Sequence, residues 1–424
     1  MGSVASVEIP VPPPVRWICD VLRGSGYQAF VVGGGVRDAL LGRPVHDWDV
    51  ATDAPPDAVQ RLFPRTVPTG IEFGTVTVII DSQAVQVTTF RSEGGYRDAR
   101  HPGWVTFGQR IEDDLKRRDL TVNALAYDPA SGRFVDPYGG QADLANRIIR
   151  TVGHPVERFQ EDALRLMRAV RLAAELGFRL DGRTAAGIRC CAPRLERVSR
   201  ERVGEEWRRL LAAPDAGRGL MLLYRTRLLP WVLPGAPKLE RVAVRRTVAA
   251  LERLAASGAA TKMAAVLYGL SSPEADAALL RSLVYSRQAS RQVSHLAQCL
   301  RDFRRDAVHS DAALRRFLAR VGREHVPPFL ELWRAWQPLE SHRLGRELDR
   351  WAERVLAAGA ALSPGELAVD GTDIQQAGGV PPGPQVGALL TRLWEHVLEH
   401  PEDNTRDRLL TLIKAWATEQ RCSG

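Results

Sequence analysis

The sequence predicts an α+β head followed by an all-helical remainder. Short runs rich in β-branched residues crowd the first 150 positions. They do not alternate with helices as a doubly wound sheet requires, so a mixed sheet is expected. From about residue 155 the strand signal gives way to long helical periodicity.

Residues 14–23 carry helical apolar spacing, and residues 28–32 read as the first strand. A triple-glycine turn leads into a brief helix over 36–41, and a strand over 46–51 follows. A helix over 55–63 precedes strands over 74–80 and 84–90, each bounded by turn residues. Residues 91–109, RSEGGYRDARHPGWVTFGQ, are polar and glycine-bearing and read as a long mobile loop. The basic triplet 116–118 is expected to precede an apolar helix. In the helical half, breaks fall at 213–214, 234–237, 271–273, 327–328 and 364, and GGVPPGP at 378–384 sets off a terminal piece. No fixed-period repeat or sustained heptad pattern is present.

A hydrophobic content of 45% and a mean hydropathy of -0.20 describe a soluble globular chain with room for several cores. No run approaches the ~20 apolar residues of a membrane span. The N-terminus lacks the basic segment and apolar stretch of a secretory signal, so a cytoplasmic protein is expected. The five cysteines are scattered, with no Cys-x-x-Cys pair, which fits reduced thiols. Residues 1–150 carry a net charge of -2 and the remainder +10. A near-neutral head joined to a basic remainder suits a polyanion laid along the second part. Arginine-rich composition is the competing account, since only four of the 58 basic residues are lysine.

Three constellations carry chemistry. Gly33, Gly34 and Gly35 form a turn opening a helix, where backbone N–H groups favour phosphate, and Arg37 on the first helical turn could reach it. Asp38 reads as a helix-end charge or a structural pair. Asp47 and Asp49, two apart on a strand, share one face. Paired carboxylates repel unless a cation lies between them, which anticipates Mg²⁺. In Lys116-Arg117-Arg118-Asp119, Arg118 suits a triphosphate and Asp119 a ribose hydroxyl. Asp162, Arg165 and Arg168 recur every three residues along one expected helix face. Alone they read as an intrahelical salt-bridge ladder. No P-loop or Gly-x-Gly-x-x-Gly motif is present.

The ordered set GGGVRDALLG, DWDVAT, PTGIEFGTVTV, TTFR, RRDLTVNA, DPYGG and EDALRLMRAVRLAAELGF, over residues 28–209, resembles the class II tRNA nucleotidyltransferases. These are the CCA-adding enzymes and their poly(A) polymerase relatives of the DNA polymerase β superfamily. A softer similarity, LAVDGTDIQQAGGVPPGPQVGALL, resembles the tail that touches the tRNA elbow. The resemblance implies a polymerase β-like head over 1–150, a neck over 151–215 with the base-templating motif, a body over 216–330 and a tRNA-binding tail over 331–424. It implies that Asp47 and Asp49 are catalytic and bind Mg²⁺. Gly33, Gly34, Arg37 and Arg118 would hold triphosphate, Asp119 ribose, and Asp162 and Arg165 the incoming base, with Arg168 nearby.

The implied reaction extends the tRNA 3′ end with CTP and ATP, the 3′-hydroxyl attacking the α-phosphate by a two-metal mechanism as pyrophosphate leaves. Cytosine and adenine each present an amino donor beside a ring-nitrogen acceptor, which a carboxylate and a guanidinium complement. Uracil and guanine reverse that order. The alternatives are an A-adding-only enzyme or a poly(A) polymerase. Residues 65–78, RTVPTGIEFGTVTV, stand where poly(A) polymerases carry a basic segment, and the 91–109 loop is not shortened as in CC-only relatives. Family members often carry an acid before Val-Thr-Thr-Phe-Arg, where this chain has Gln86. Two carboxylates with water are therefore expected to suffice. A catalytically dead RNA-binding module would lack Asp47 and Asp49. His396-x-x-Glu399-His400 matches a zinc-protease pattern, but at a helix end the histidines read as dipole partners.

Overall fold

An uninterrupted apolar run, AFVV, makes β1 (Ala29–Val32) a strand buried at all four positions. In this computed structural model, residues 8–94, 103–303, 308–337 and 342–422 are described. The chain divides into two units, Met1–Pro234 with Ser282–Val284 and Gly235–Arg281 with Tyr285–Gly424.

In the first unit β1 joins β2 (Asp49–Thr52), β3 (Thr66–Gly70), β4 (Thr75–Ile80) and β5 (Gln83–Thr89). After the separate pair β6 (Arg91–Gly94) and β7 (Trp104–Phe107), the chain returns as β8 (Ala126–Asp128) and β9 (Arg133–Val135). The seven-stranded sheet has the order β3-β4-β5-β2-β1-β8-β9. Only β2 and β5 pair in parallel, so the sheet is mixed, as predicted. Its core gathers Phe30, Val32, Ala51, Phe90, Leu115 and Ala126. Helices α1 (Pro13–Gly24), α2 (Gly34–Leu40) and α3 (Pro56–Leu62) lie close to the expected positions. Then follow α4 (Ile111–Lys116), α5 (Gly140–Ala145), α6 (Pro155–Glu161), α7 (Leu164–Leu176), α8 (Gly182–Cys191) and α9 (Arg200–Ala212).

Four expectations are corrected. The second strand begins at Asp49, not at residue 46, because its partner β1 ends at Val32, opposite Asp49, where the chain turns at Gly33. Residues 91–109 are not loop throughout: β6 and β7 pair antiparallel, with Gly94 beneath the Trp104 ring. Residues 95–102 of that stretch lie outside the described residues. The segment after Asp119 is a single 3-10 turn, Thr121–Asn123, rather than a helix. Backbone bonds from Thr121 to Arg150 and from Val152 to Asp119 hold it against a neighbouring segment. Within the helical half, Arg179–Leu180 forms a short strand, β11, parallel to Ile148–Ile149, β10.

The second unit is helical among the described residues. Helices Arg241–Arg253, Ala259–Leu270, Arg287–Asp302 and Val326–Trp336 pack together. Phe303, Phe317, Phe329 and Trp333 stack edge-on and tilted in their midst. Helices Gly371–Gly378, Pro384–Glu399 and Arg406–Cys422 enclose Ile374, Leu393 and Ile413. No helix among the described residues is long and apolar enough to cross a membrane.

Candidate active site

A cavity of about 700 Å³ opens at the end of β1 and β2. It gathers every predicted site residue: Gly33, Gly34, Arg37, Asp47, Asp49, Arg118, Asp119, Asp162, Arg165 and Arg168. Gly33 is required on two counts. Its φ of 79° is one that L side chains rarely adopt, and a Cβ there would stand 2.8 Å from Arg118 Nη1. Gly35 lets α2 approach the acidic segment, since a Cβ would meet the Asp47 carbonyl oxygen and the Trp48 ring at 3.1 Å.

Asp47 and Asp49 both line this cavity while Val50 between β1 and β5 is fully buried. Burial raises the Asp49 carboxyl above its usual range, the Arg118 charge opposes this, and the Asp47 charge adds to it. A buried carboxylate with a second one beside it is a donor set short of positive charge. Gln86 on β5 stands opposite Asp49 in the parallel register and lines the same wall. Among the described residues no group of three His, Cys, Asp or Glu side chains forms a metal cluster. The oxygen donors are hard and few, which fits Mg²⁺ completed by water and phosphate.

The arginines are held rather than loose. Arg37 is buried, forks onto Asp38 at 2.9 and 2.7 Å, and donates to Asn123 Oδ1 at 2.7 Å. Asp38 is thus the structural pair of the two readings offered for it. Arg118 donates Nε and Nη2 to Asp114 and shares that carboxylate with Arg117. Asp119 accepts from Arg168 Nε at 2.6 Å and from Asn123 at 3.2 Å. Burial pushes the Asp119 carboxyl up, but Arg168, Arg165 and Asn123 together hold it well below the usual range. Arg168 is held charged by the same contact.

The expected ladder along one helix does not form. Asp162 sits outside regular helix, between α6 and α7, and its Oδ1 accepts from the Leu164 backbone N–H at 3.0 Å. That break separates Asp162 from the arginines below it. Arg165 bonds Glu161 at 2.5 Å and the carbonyls of Arg158 and Arg117, while Arg168 reaches across to Asp119. The partner of Asp162 is Arg202 on α9, at 2.8 Å. Arg202 escaped the sequence reading because it lies 40 residues away with no local signal. Asp114 did leave a signal, three and four residues before Arg117 and Arg118.

Comparison with known proteins identifies the family of the chain. The poly A polymerase head domain family matches residues 29–150, and the tRNA nucleotidyltransferase domain 2 family matches residues 257–413. Between them, residues 177–240 match the RNA and SrmB-binding site of polymerase A. The chain is 37% identical to the CCA-adding enzyme of Geobacillus stearothermophilus over 95% of its length and 96% of the relative's. It is 35% identical to that of Enterococcus faecalis, covering 95% of each. The chain belongs to the CCA-adding enzyme family.

The solved Bacillus stearothermophilus CCA-adding enzyme in complex with CTP superposes with a TM-score of 0.78 at 34% identity, covering 97% of this chain and 99% of that one. A Thermotoga maritima CCA-adding enzyme complexed with tRNA shares the fold at a TM-score of 0.70, with 18% identity. As a member of the CCA-adding enzyme family the chain is a nucleotidyltransferase, and the cavity lies where its head-domain match meets α7 and α9. The zinc-protease pattern finds no support: His396 bonds Asp403 at 2.7 Å and packs on Trp416.

Proposed function

We propose that this chain adds C, C and A to the 3′ end of tRNA from CTP and ATP, choosing each base with protein side chains. The observation that carries this is the convergence of Asp47 and Asp49, the Gly33 turn, Arg118, Asp162 and Arg165 on one cavity. Asp47 and Asp49 are assigned to Mg²⁺, which when bound would activate the 3′-hydroxyl and neutralise charge on the triphosphate. Gly33, Gly34, Arg37 and Arg118 face the triphosphate, and Asp119, fixed by Arg168, accepts from the ribose.

Base choice follows from remaining valences. Asp162 is bonded to Leu164 N and Arg202, which leaves a lone-pair position to accept from an amino group. Arg165, with its Nη1 hydrogens on Glu161 and Arg158, retains Nε–H and one Nη2–H to donate to a ring nitrogen. Cytosine and adenine satisfy both; uracil and guanine leave both unpaired, which can cost roughly 10⁴-fold. The reading keeps a head over 1–150, a neck over 151–215, a body over 216–330 and a tRNA-binding tail over 331–424, acting in the cytoplasm.

The test is incubation with tRNA that ends at the discriminator base. Extension by two nucleotides with CTP alone and by three with CTP and ATP is expected. Asp49→Ala should lose both products while still binding tRNA. Long A tails on any RNA would mean poly(A) synthesis, and a single A without CTP an A-adding enzyme.

A further inference from the structure

One buried carboxylate that does not line the cavity holds two arginines that do. The Asp114 side chain on α4 is fully buried. Its Oδ1 accepts from Arg117 Nε at 3.0 Å and Nη2 at 2.8 Å. Its Oδ2 accepts from Arg118 Nε at 3.3 Å and Nη2 at 3.0 Å. Two guanidinium forks fill the four acceptor positions of a carboxylate, so neither arginine can turn without breaking its pair.

Each arginine leads to a different part of the site. Arg118 carries its Nη1 to the Gly33 turn, 2.8 Å from where a Cβ would stand, and its charge acts on Asp49. Arg117 offers its backbone carbonyl to Arg165 Nη2 at 3.1 Å. The phosphate side and the base-reading side of the cavity therefore meet in one short segment whose two arginine side chains share the Asp114 carboxylate.

We infer that Asp114 is a positioning residue that ties the triphosphate grip of Arg118 to the base reading of Arg165, so that it governs both nucleotide affinity and base choice. This rests on the nucleotidyl-transfer reading above. Misplacing a positioning group by about 1 Å can cost ~10²-fold, even where the residue that holds it, here Asp114, is fully buried and does not line the cavity.

The experiment measures KM for CTP and the ratio of kcat/KM for CTP over UTP, on tRNA ending at the discriminator base, in the full-length wild type, Asp114→Asn and Asp114→Glu. Thermal unfolding fixes the folded fraction of each. If the wild type adds no C, the underlying reading fails before the variants are compared. With an active wild type, folded Asp114→Asn should raise KM and lower the CTP-over-UTP ratio, each by at least about 10-fold. If Asp114→Asn does not fold, Asp114→Glu, one methylene longer, carries the test with the same expectation. A folded variant with wild-type KM and wild-type selectivity, whatever its melting temperature, would show a purely structural ion pair and overturn the inference.

Discussion

At Gly33 two constraints coincide that can be separated by experiment. A side chain there must adopt a left-handed backbone and also displace Arg118 Nη1. Gly132 also has a positive φ, of 69°, but nothing lies within 4 Å of a Cβ at that position. Gly132→Ala should therefore cost only the backbone term, about 1–2 kcal/mol, seen as a lower unfolding midpoint with unchanged KM for CTP. Gly33→Ala, at φ 79° and ψ -138° and against Arg118, should lose more stability and also raise KM for CTP. Equal kinetics in the two variants would mean that Arg118 does not act on the nucleotide. Single residues were also where the sequence was most legible. Asp47 and Asp49 stood out by spacing beside a glycine turn, and both line the cavity although only Asp49 is on the strand. Arg202 and Asn123 were invisible, because their roles arise from contacts across the fold.

At the scale of elements, α4 and the segment after it are fastened by buried acids. Asp114 is raised by burial but lowered more by Arg117 and Arg118, and Asp119 is likewise lowered by Arg168. A carboxyl depressed in the folded state stabilises fully above its unfolded value, about 3.9, and loses that contribution as pH falls toward the folded value. The wild-type melting temperature should thus drop between about pH 4 and more acid conditions. Asp114→Asn should melt lower at neutral pH yet fall less steeply on acidification; parallel curves would exclude Asp114 as an acid-sensitive fastener. Element types followed from periodicity wherever a run was long, as in α7 and the helices of the second unit. The β6–β7 pair was missed because each strand has only four residues and polar positions dominate β6. The helix expected after Asp119 failed because pairing with residues 150–152 overrode local propensity.

For the molecule as a whole, the division of labour is carried by charge and composition as well as by fold. The near-neutral segment 1–150 supplies the sheet and the acids, and the basic remainder supplies helices. Asp162, Arg165 and Arg202 come from the helical part and line the same cavity as Asp47 and Asp49 from the segment 1–150. In the proposed reaction these side chains, not a nucleic-acid strand, select the base. The most direct measurement is incorporation of each of the four nucleotides by Asp162→Ala into tRNA ending at the discriminator base. Loss of the preference for CTP over UTP in the folded variant is the predicted result; undiminished preference for CTP and then ATP would contradict it.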